Sequence, residues 1–375
     1  AGGVWRMNDV ANFVGNSQWP LAPENIDNSL RFNSGSSDNL SKSLSTPTND
    51  KKFTFSCWFK KSKNATEMNL FGYQPSGNAE AYIGFSTSDE IRYADRDSGD
   101  TTAEIFLVSN AKLRDVSAWY NIVCAVDTTQ ASADNRVKIY VNGNQETSFS
   151  TNTQINQNID VAAINTTGLI EIGRASNNSS QHFNGYMTHV SLVDGQQLAP
   201  TVFGQTDSTS GIWKFKSPSG VTWGTNGFHL KFENSGNLGL DSSGQTNNFT
   251  VNGNLKQALD TPSNVYATWN PLATFANITL TNGNNTYTLN AGTWESTPST
   301  LAMPSSGKYY AEFKRNTSST SSQYMMVGVA EPKNFNAWST EYPGYTSSGY
   351  GYGWDGNIRN NAKSDSVHFN KSSSI

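Results

Sequence analysis

Short stretches in which apolar and polar residues alternate recur along this chain, and they constrain its fold more than any other feature. Val137, Ile139 and Val141 occupy every second position of one such stretch, so they would lie on one face of a strand. Asn142 and Gly143 follow directly, and this pair is the strongest short signal for a tight turn between two strands. Similar runs continue from residue 29 to residue 193. They predict an all-β protein built from antiparallel sandwiches or jelly rolls.

Composition also favours strands over helices. Only 15% of the 375 residues are charged, whereas 12% are aromatic, and Asn, Ser, Thr and Gly fill much of the remainder. Asn, Ser and Thr compete for backbone hydrogen bonds, and Gly costs conformational entropy in a helix. The mixture therefore excludes the all-α classes and suits short strands joined by many turns.

Charge and hydropathy exclude two kinds of partner. The formal net charge is −4, and the 26 Lys and Arg residues are scattered, whereas a nucleic-acid-binding protein shows a basic face. The longest apolar runs, such as residues 105–108, are far shorter than the roughly 20 residues that cross a bilayer. We therefore expect neither nucleic-acid binding nor membrane insertion.

The two cysteines lie in alternating runs. Cys57 and Cys124 each share a face with large apolar residues. Two buried thiols that pack as small hydrophobic groups are the favoured interpretation. A single disulfide between neighbouring strands is the alternative.

The runs divide the chain into four segments. Residues 1–28 form an aromatic arm, with Trp5, Phe13 and Trp19, that is expected to dock on its own domain or on another chain. Residues 29–253 form the first β domain, 254–275 form a linker without a clear period, and 276–375 form a second β-sandwich. Because the last twenty residues carry little apolar material, this second sandwich is expected to be incomplete.

Several motifs of the first domain carry a family resemblance. Three of them are FTFSCWF at 53–59, VKIYVNG at 137–143 and VDGQQLAP at 193–200. Others are SLRF at 29–32, WYNIV at 119–123, IGR at 172–174, FNGY at 183–186, TNGF at 225–228, LDSSGQTNNF at 240–249 and DTPSN at 260–264. Together they resemble the laminin-G-like or concanavalin-A-like jelly rolls of virion proteins of tailed phages, especially marine ones.

The second sandwich resembles a SPRY-type domain. GKYYAEF at 307–313, VGVA at 327–330 and YGYG at 350–353 are similar to the opening strands of that family. Nothing after Asn361 supplies the later strands, so either further chain or another subunit would have to complete the sheet.

An enzymatic activity is not expected. Glycosidases of the jelly-roll fold need two close carboxylates, usually in a Glu-x-Asp-x-x-Glu run, and no such run is present. The sequence also contains no nucleophile elbow, phosphate-binding loop or Cys-x-x-Cys pair. Because a fold alone does not confer activity, we predict that the protein is not an enzyme.

One acidic stretch is a candidate calcium site. Asp95, Asp97 and Asp100 lie around Gly99, in a pattern loosely similar to a calcium loop. Calcium is common in laminin-G-like domains, so the resemblance keeps this cofactor open. The alternative is a solvated loop between two strands, and no other cofactor is predicted.

Aromatic side chains are the candidates for sugar binding, because ring faces pack on sugar C–H groups and nearby amides bind hydroxyl groups. Trp338, Tyr342 and Tyr345 lie in a Gly- and Ser-rich stretch, and the alternative for them is a place in a core or interface. Further candidates, expected on loops between strands, are Tyr73, Tyr93 and Arg96.

The resemblance implies a phage virion protein, in a tail fibre, a spike or a capsid-attached fibre, that lies on the virion surface. It also implies attachment to a host-surface glycan, other virion proteins as partners, and a homotrimer. The alternative is a capsid or tail decoration protein that binds other virion proteins and no glycan.

Overall fold

The structure, a computed structural model, describes residues 25–73, 80–96, 104–162, 168–175, 181–290, 295–315, 325–331, 341–353, 357–361 and 363–365. The chain divides into two compact units, Ala1–Tyr266 and Ala267–Ile375. The proposed docking residues Trp5, Phe13 and Trp19 lie outside the described residues. Within the described residues, no helix has the length and apolarity that a membrane span requires.

The first unit consists of strands and short 3-10 turns. Its strands are β1 (Ser29–Phe32), β2 (Asn39–Ser43), β3 (Lys52–Lys61), β4 (Met68–Tyr73), β5 (Glu80–Phe85), β6 (Glu90–Arg96), β7 (Ile105–Lys112), β8 (Tyr120–Asp127), β9 (Val137–Val141), β10 (Asn144–Gln145), β11 (Phe149–Thr153), β12 (Leu169–Ile172), β13 (Gly185–Asp194), β14 (Gly204–Thr206), β15 (Trp213–Phe215), β16 (Phe228–Leu230), β17 (Thr250–Asn252) and β18 (Lys256–Ala258). The 3-10 turns are Ser34–Ser36, Ala133–Asn135 and Pro200–Val202.

Two antiparallel sheets of eight strands form this unit. The first sheet has the order β10-β9-β8-β3-β13-β1-β18, with β16 also paired to β13, and the second has the order β11-β7-β6-β5-β4-β12-β2-β17. Strands β14 and β15 make a separate hairpin. The predicted all-β fold is confirmed: the two large sheets form a concanavalin-A-like sandwich, accompanied by small extra sheets.

The core lies between the two large sheets. Phe55 of β3 contacts Phe71 of β4 with ring centroids 5.1 Å apart, and Phe59 contacts Phe85 at 5.2 Å. All four rings are buried, and each contributes about 1.5–3 kcal/mol by leaving water. The alternating pattern thus stabilises the sandwich by directing one face of each strand inward.

The cysteines are free and buried, as favoured from the sequence. They lie on the neighbouring strands β3 and β8. In the register of these strands Cys57 is opposite Ile122, and Cys124 is opposite Phe55. Burial raises the pKa of both thiols, which keeps them protonated and unreactive.

The outer face of the first sheet is also covered. Trp58, Trp119 and Tyr186 on that face pack with Ile26 and Phe215 in a second apolar cluster. Central strand β3 is therefore buried on both faces over most of its length. The outer cover comes from Ile26, which precedes β1, and from Phe215 in the segment after β13.

Part of the predicted linker belongs to the first unit. Strand β18 pairs with β1, and the buried Nζ of Lys60 lies 2.8 Å from Oδ2 of Asp260. The boundary between the units falls after Tyr266, so the expectation of a linker beginning at residue 254 is corrected. This segment resembles a linker in the sequence because its strand is only three residues long and its other contacts are polar. It therefore shows no repeating pattern of apolar residues.

The second unit contains a hairpin and a small sheet. Its strands are β19 (Ile278–Thr281), β20 (Thr286–Leu289), β21 (Met326–Val329), β22 (Tyr350–Gly353), β23 (Ile358–Asn360) and β24 (Lys363–Asp365), with a 3-10 turn at Pro271–Ala273. Strand β19 pairs with β20, and the order of the other sheet is β21-β22-β23-β24. The strand expected at 307–313 is absent, since 308–315 are irregular and Tyr310 is 86% exposed.

Candidate functional site

A tight hairpin forms one side of the candidate site. Asn142 and Gly143 join β9 to β10 with φ angles of 47° and 79°, as a two-residue turn of this hand requires. Asn142 is anchored to Asn121 of β8, because its Oδ1 accepts the Asn121 backbone N–H at 2.8 Å. Its own N–H donates to the Asn121 carbonyl at 2.8 Å. The predicted turn is thus held firmly against the first sheet.

A second hairpin, made by β14 and β15, forms the opposite side. Its loop is organised by Asp207, whose carboxylate accepts from Lys214 Nζ at 2.6 Å and from the backbone N–H groups of Thr209 and Ser210. The Ser210 hydroxyl donates to the same oxygen as the two N–H groups. These contacts hold the pKa of Asp207 well below its usual range, and the contact with Lys214 is the largest cause.

Trp213 joins the two hairpins. Its indole ring lies directly against Gly143 and Gly204, and a Cβ atom at either glycine would overlap the ring. The indole Nε1 donates to Asn121 Oδ1 at 3.1 Å, so the same asparagine anchors both hairpins. Trp213 is therefore a fixed aromatic wall.

A cleft of about 420 Å³ lies between the hairpins. It is lined by Trp119, Asn142, Asn144, Thr206, Gly211, Ile212 and Trp213. Trp119 is held from beneath, since its Nε1 donates to the buried Asp260 Oδ1 at 3.0 Å. The volume lies within the range of small-ligand sites.

Three polar groups in the cleft are available to a ligand. Among the described residues, Asn142 Nδ2, Asn144 Oδ1 and the Thr206 hydroxyl have no hydrogen-bond partner. The amide offers a donor, the carbonyl an acceptor and the hydroxyl both. Together with two indole rings, these groups supply the apolar surface and the polar contacts that sugar binding uses.

The structure corrects the expected positions of two tyrosines. Tyr73 ends β4 and Tyr93 lies within β6, and their exposed fractions are 1% and 0%. Neither ring can therefore stack on a glycan. The alternation of β6 already places Tyr93 on the face of the buried Ile91, so this signal was present in the sequence. Arg96 ends β6 and pairs with Glu80 at 2.9 Å.

Asp95 serves the interior of the sandwich instead of a loop. It is fully buried in β6, and it accepts the Ala162 backbone N–H at 2.7 Å and the Tyr93 hydroxyl at 3.1 Å. Asp97 and Asp100 lie outside the described residues. Across the described part of the chain, no three His, Cys, Asp or Glu side chains come together as metal ligands.

Two of the other glycan candidates form a surface pair in the second unit. Tyr342 and Tyr345 stand edge to face with ring centroids 5.4 Å apart, and Tyr345 is 44% exposed. Trp338 lies outside the described residues.

Sequence reasoning missed the residues of the cleft. Trp119 and Asn142 were assigned only to a strand motif and a turn, and Trp213 lies in a stretch without a clear period. The Asn142–Gly143 turn was the one available signal, because it places side chains at a sheet edge.

The two large sheets give the first unit the sandwich fold of the concanavalin-A-like jelly rolls. Residues 33–202 match the family model described as the concanavalin A-like lectin/glucanases superfamily. No curated protein matches the chain.

Solved structures similar to this chain include three of low sequence identity. A native heptameric SAP-like pentraxin from Limulus polyphemus has a TM-score of 0.42 and 10% identity, and the match covers 64% of this chain and 98% of that chain. A putative carbohydrate binding protein from Bacteroides ovatus has a TM-score of 0.41 and 15% identity, and the match covers 64% of this chain and 62% of that chain. The Ruminococcus gnavus IT-sialidase CBM40 bound to α2,3 sialyllactose has a TM-score of 0.29 and 12% identity, and the match covers 36% of this chain and 74% of that chain.

Proposed function

We propose that the protein binds carbohydrate and that the cleft between the β9–β10 and β14–β15 hairpins is its binding site. The observation that carries this proposal is the meeting of two indole rings, Trp119 and Trp213, with unengaged amide and hydroxyl groups in one cleft. The match of residues 33–202 to a lectin and glucanase family model supports it.

The protein binds glycan without cleaving it. None of the residues that line the cleft in the described part of the chain is a carboxylic acid. Retaining glycosidases need two carboxylates about 5–5.5 Å apart, and inverting enzymes need two at a larger separation. The cleft therefore lacks the groups that acid–base cleavage of a glycosidic bond requires.

The biological role is attachment of a phage particle to its host. This part of the proposal is supported by the motifs at 53–59, 137–143 and 193–200, which resemble those of phage virion proteins. The protein lies on the virion surface as a homotrimer, and other virion proteins hold it there. Several copies on one particle raise a weak single-site affinity through avidity. The second unit is a SPRY-like module of this assembly, which is supported by the motifs at 327–330 and 350–353, since these contribute to the paired strands β21 and β22.

A decoration protein that binds other virion proteins is the second candidate function. It is favoured by the exposed aromatic side chains Tyr309, Tyr310 and Phe313 of the second unit, which offer apolar area to a protein partner. Calcium remains a proposed cofactor only through Asp97 and Asp100.

A glycan array probed with the labelled full chain tests the proposed function. Asn144→Ala and Thr206→Ala remove exposed groups of the cleft, so the fold should persist while binding weakens about tenfold each. Gln145→Ala and Gln205→Ala are matched controls, because each alters an exposed neighbour that does not line the cleft. If folded protein binds no glycan, or if the cleft variants bind as the controls do, the proposal fails.

A further inference from the structure

Two charged side chains next to the cleft are neutralised within the protein. Asp207 directly follows Thr206, and its carboxylate is paired with Lys214 at 2.6 Å. Asp260 lies beneath Trp119, and its carboxylate is paired with the buried ammonium of Lys60 at 2.8 Å. Neither of these two carboxylates is therefore an uncompensated charge beside the cleft.

The lining itself contains no ionisable side chain. Its polar members are two asparagines and a threonine, and its remaining members are two tryptophans, an isoleucine and a glycine. A carboxylate or sulfate group is recognised most strongly by the fork of an arginine or by a lysine ammonium. Neither residue type lines this cleft in the described part of the chain.

The apolar walls make an unpaired charge costly. A ligand that fills the cleft contacts the indoles of Trp119 and Trp213, while Ile212 on the rim is 60% exposed. Moving an ionised group from water to such a surface without a counter-ion loses hydration that amides and a hydroxyl replace only in part. An uncharged sugar loses much less, because its hydroxyl groups can bond Asn142, Asn144 and Thr206.

We propose that the cleft selects an uncharged sugar residue with an apolar ring face and discriminates against sugars that carry a carboxylate or sulfate. This inference rests on the proposed carbohydrate-binding function and names the ligand class of the same site. Recognition uses stacking and neutral hydrogen bonds, so it needs no divalent cation and changes little with ionic strength.

Matched pairs of oligosaccharides test this selectivity. The probes are glucose-terminated and glucuronate-terminated oligosaccharides, and galactose-terminated and galacturonate-terminated ones, measured by titration against the full chain at low and high salt. We expect at least one uncharged terminus to bind about tenfold or more tightly than its carboxylate counterpart, with no change on adding EDTA. Asn144→Arg should reduce that ratio, because it places a guanidinium at the rim of the cleft.

The outcomes separate this inference from the proposed function. Equal or tighter binding of the carboxylate member, weakened by Asn144→Ala, would overturn the selectivity and leave carbohydrate binding at the cleft intact. An uncharged sugar that binds Asn144→Ala and Thr206→Ala as tightly as it binds the unaltered protein would place recognition elsewhere and overturn both. Absence of binding to every probe and to the glycan array, from folded protein, would also overturn both.

Discussion

The carboxylate of Asp260 accepts the indole N–H of Trp119 at 3.0 Å, and its second oxygen pairs with Lys60 Nζ at 2.8 Å. Lys60 also donates to the carbonyl of Tyr266 at 3.2 Å. The last residues of the first unit are therefore bound to the centre of the first sheet. The same carboxylate holds one wall of the candidate sugar site.

Removing Asp260 should destabilise the protein strongly. Asp260→Ala leaves the ammonium of Lys60 buried without its counter-ion, which costs about 3–5 kcal/mol. Urea unfolding measures this loss. The double variant Lys60→Met with Asp260→Leu should recover most of the stability, since it leaves no unpaired charge. A double variant as unstable as Asp260→Ala would contradict the assignment of the cost to the unpaired lysine.

Placing a methyl group at Gly204 should displace Trp213. Because a Cβ atom at Gly204 would overlap the indole ring, we expect Gly204→Ala to cost about 1–3 kcal/mol and to weaken glycan binding. Thermal unfolding measures the loss of stability, near-ultraviolet circular dichroism reports the displaced indole, and glycan titration measures the loss of binding. Gly35→Ala is the matched control, since its Cβ would meet only the Asn33 side chain, at ordinary contact distances. Equal stability of the two variants would show that Trp213 is not held by close packing.

Acid should weaken the first unit through a buried histidine pair. His189 Nδ1 lies 2.9 Å from His229 Nε2, and His189 also packs against Phe215. Burial lowers the pKa of His229 to about 4 and that of His189 well below its usual value, with the positive charge of Lys231 adding to both shifts. Asp241 opposes the shift at His229.

The direction of the pH effect follows from these lowered values. Between the unfolded pKa, near 6.5, and the folded pKa, the unfolded chain binds more protons than the native protein. Stability is therefore full above about pH 6.5 and is lost as pH falls towards 4, by roughly 3 kcal/mol for His229. Urea midpoints at about pH 7 and about pH 5 measure how steeply stability depends on pH. His229→Gln should make this dependence weaker. An unchanged slope in that variant would refute the role of the pair.

The two native thiols should resist modification. Burial raises the pKa of Cys57 and Cys124, so neither is a thiolate near neutral pH. A thiol reagent such as DTNB should react with them only after unfolding. A Thr147→Cys variant supplies an exposed thiol as a control and should react at once. Fast reaction of the unaltered native protein would show that these positions open to solvent.

Local patterns determined which residues form strands and which of them face inward. The alternation in β3 and β8 correctly predicts buried cysteines, because successive side chains of a strand point to opposite faces. Asn142 and Gly143 correctly predict a hairpin, because a two-residue turn of this hand requires positive φ angles. Tyr93 could have been assigned to the core by the same rule.

Only the tertiary structure decided which segments meet. Trp119 and Trp213 approach each other because β14 and β15 return across the outer face of a sheet that β8 helps to build. The segment that contains Asp260 joins the first unit through the buried ion pair with Lys60 and through the three-residue strand β18. Contacts of this kind depend on sheet order and register, which alternation within a single strand does not encode. The sequence by itself therefore determined a β-sandwich with buried thiols, and the return of β14 and β15 over the first sheet decided where a sugar-sized cleft lies.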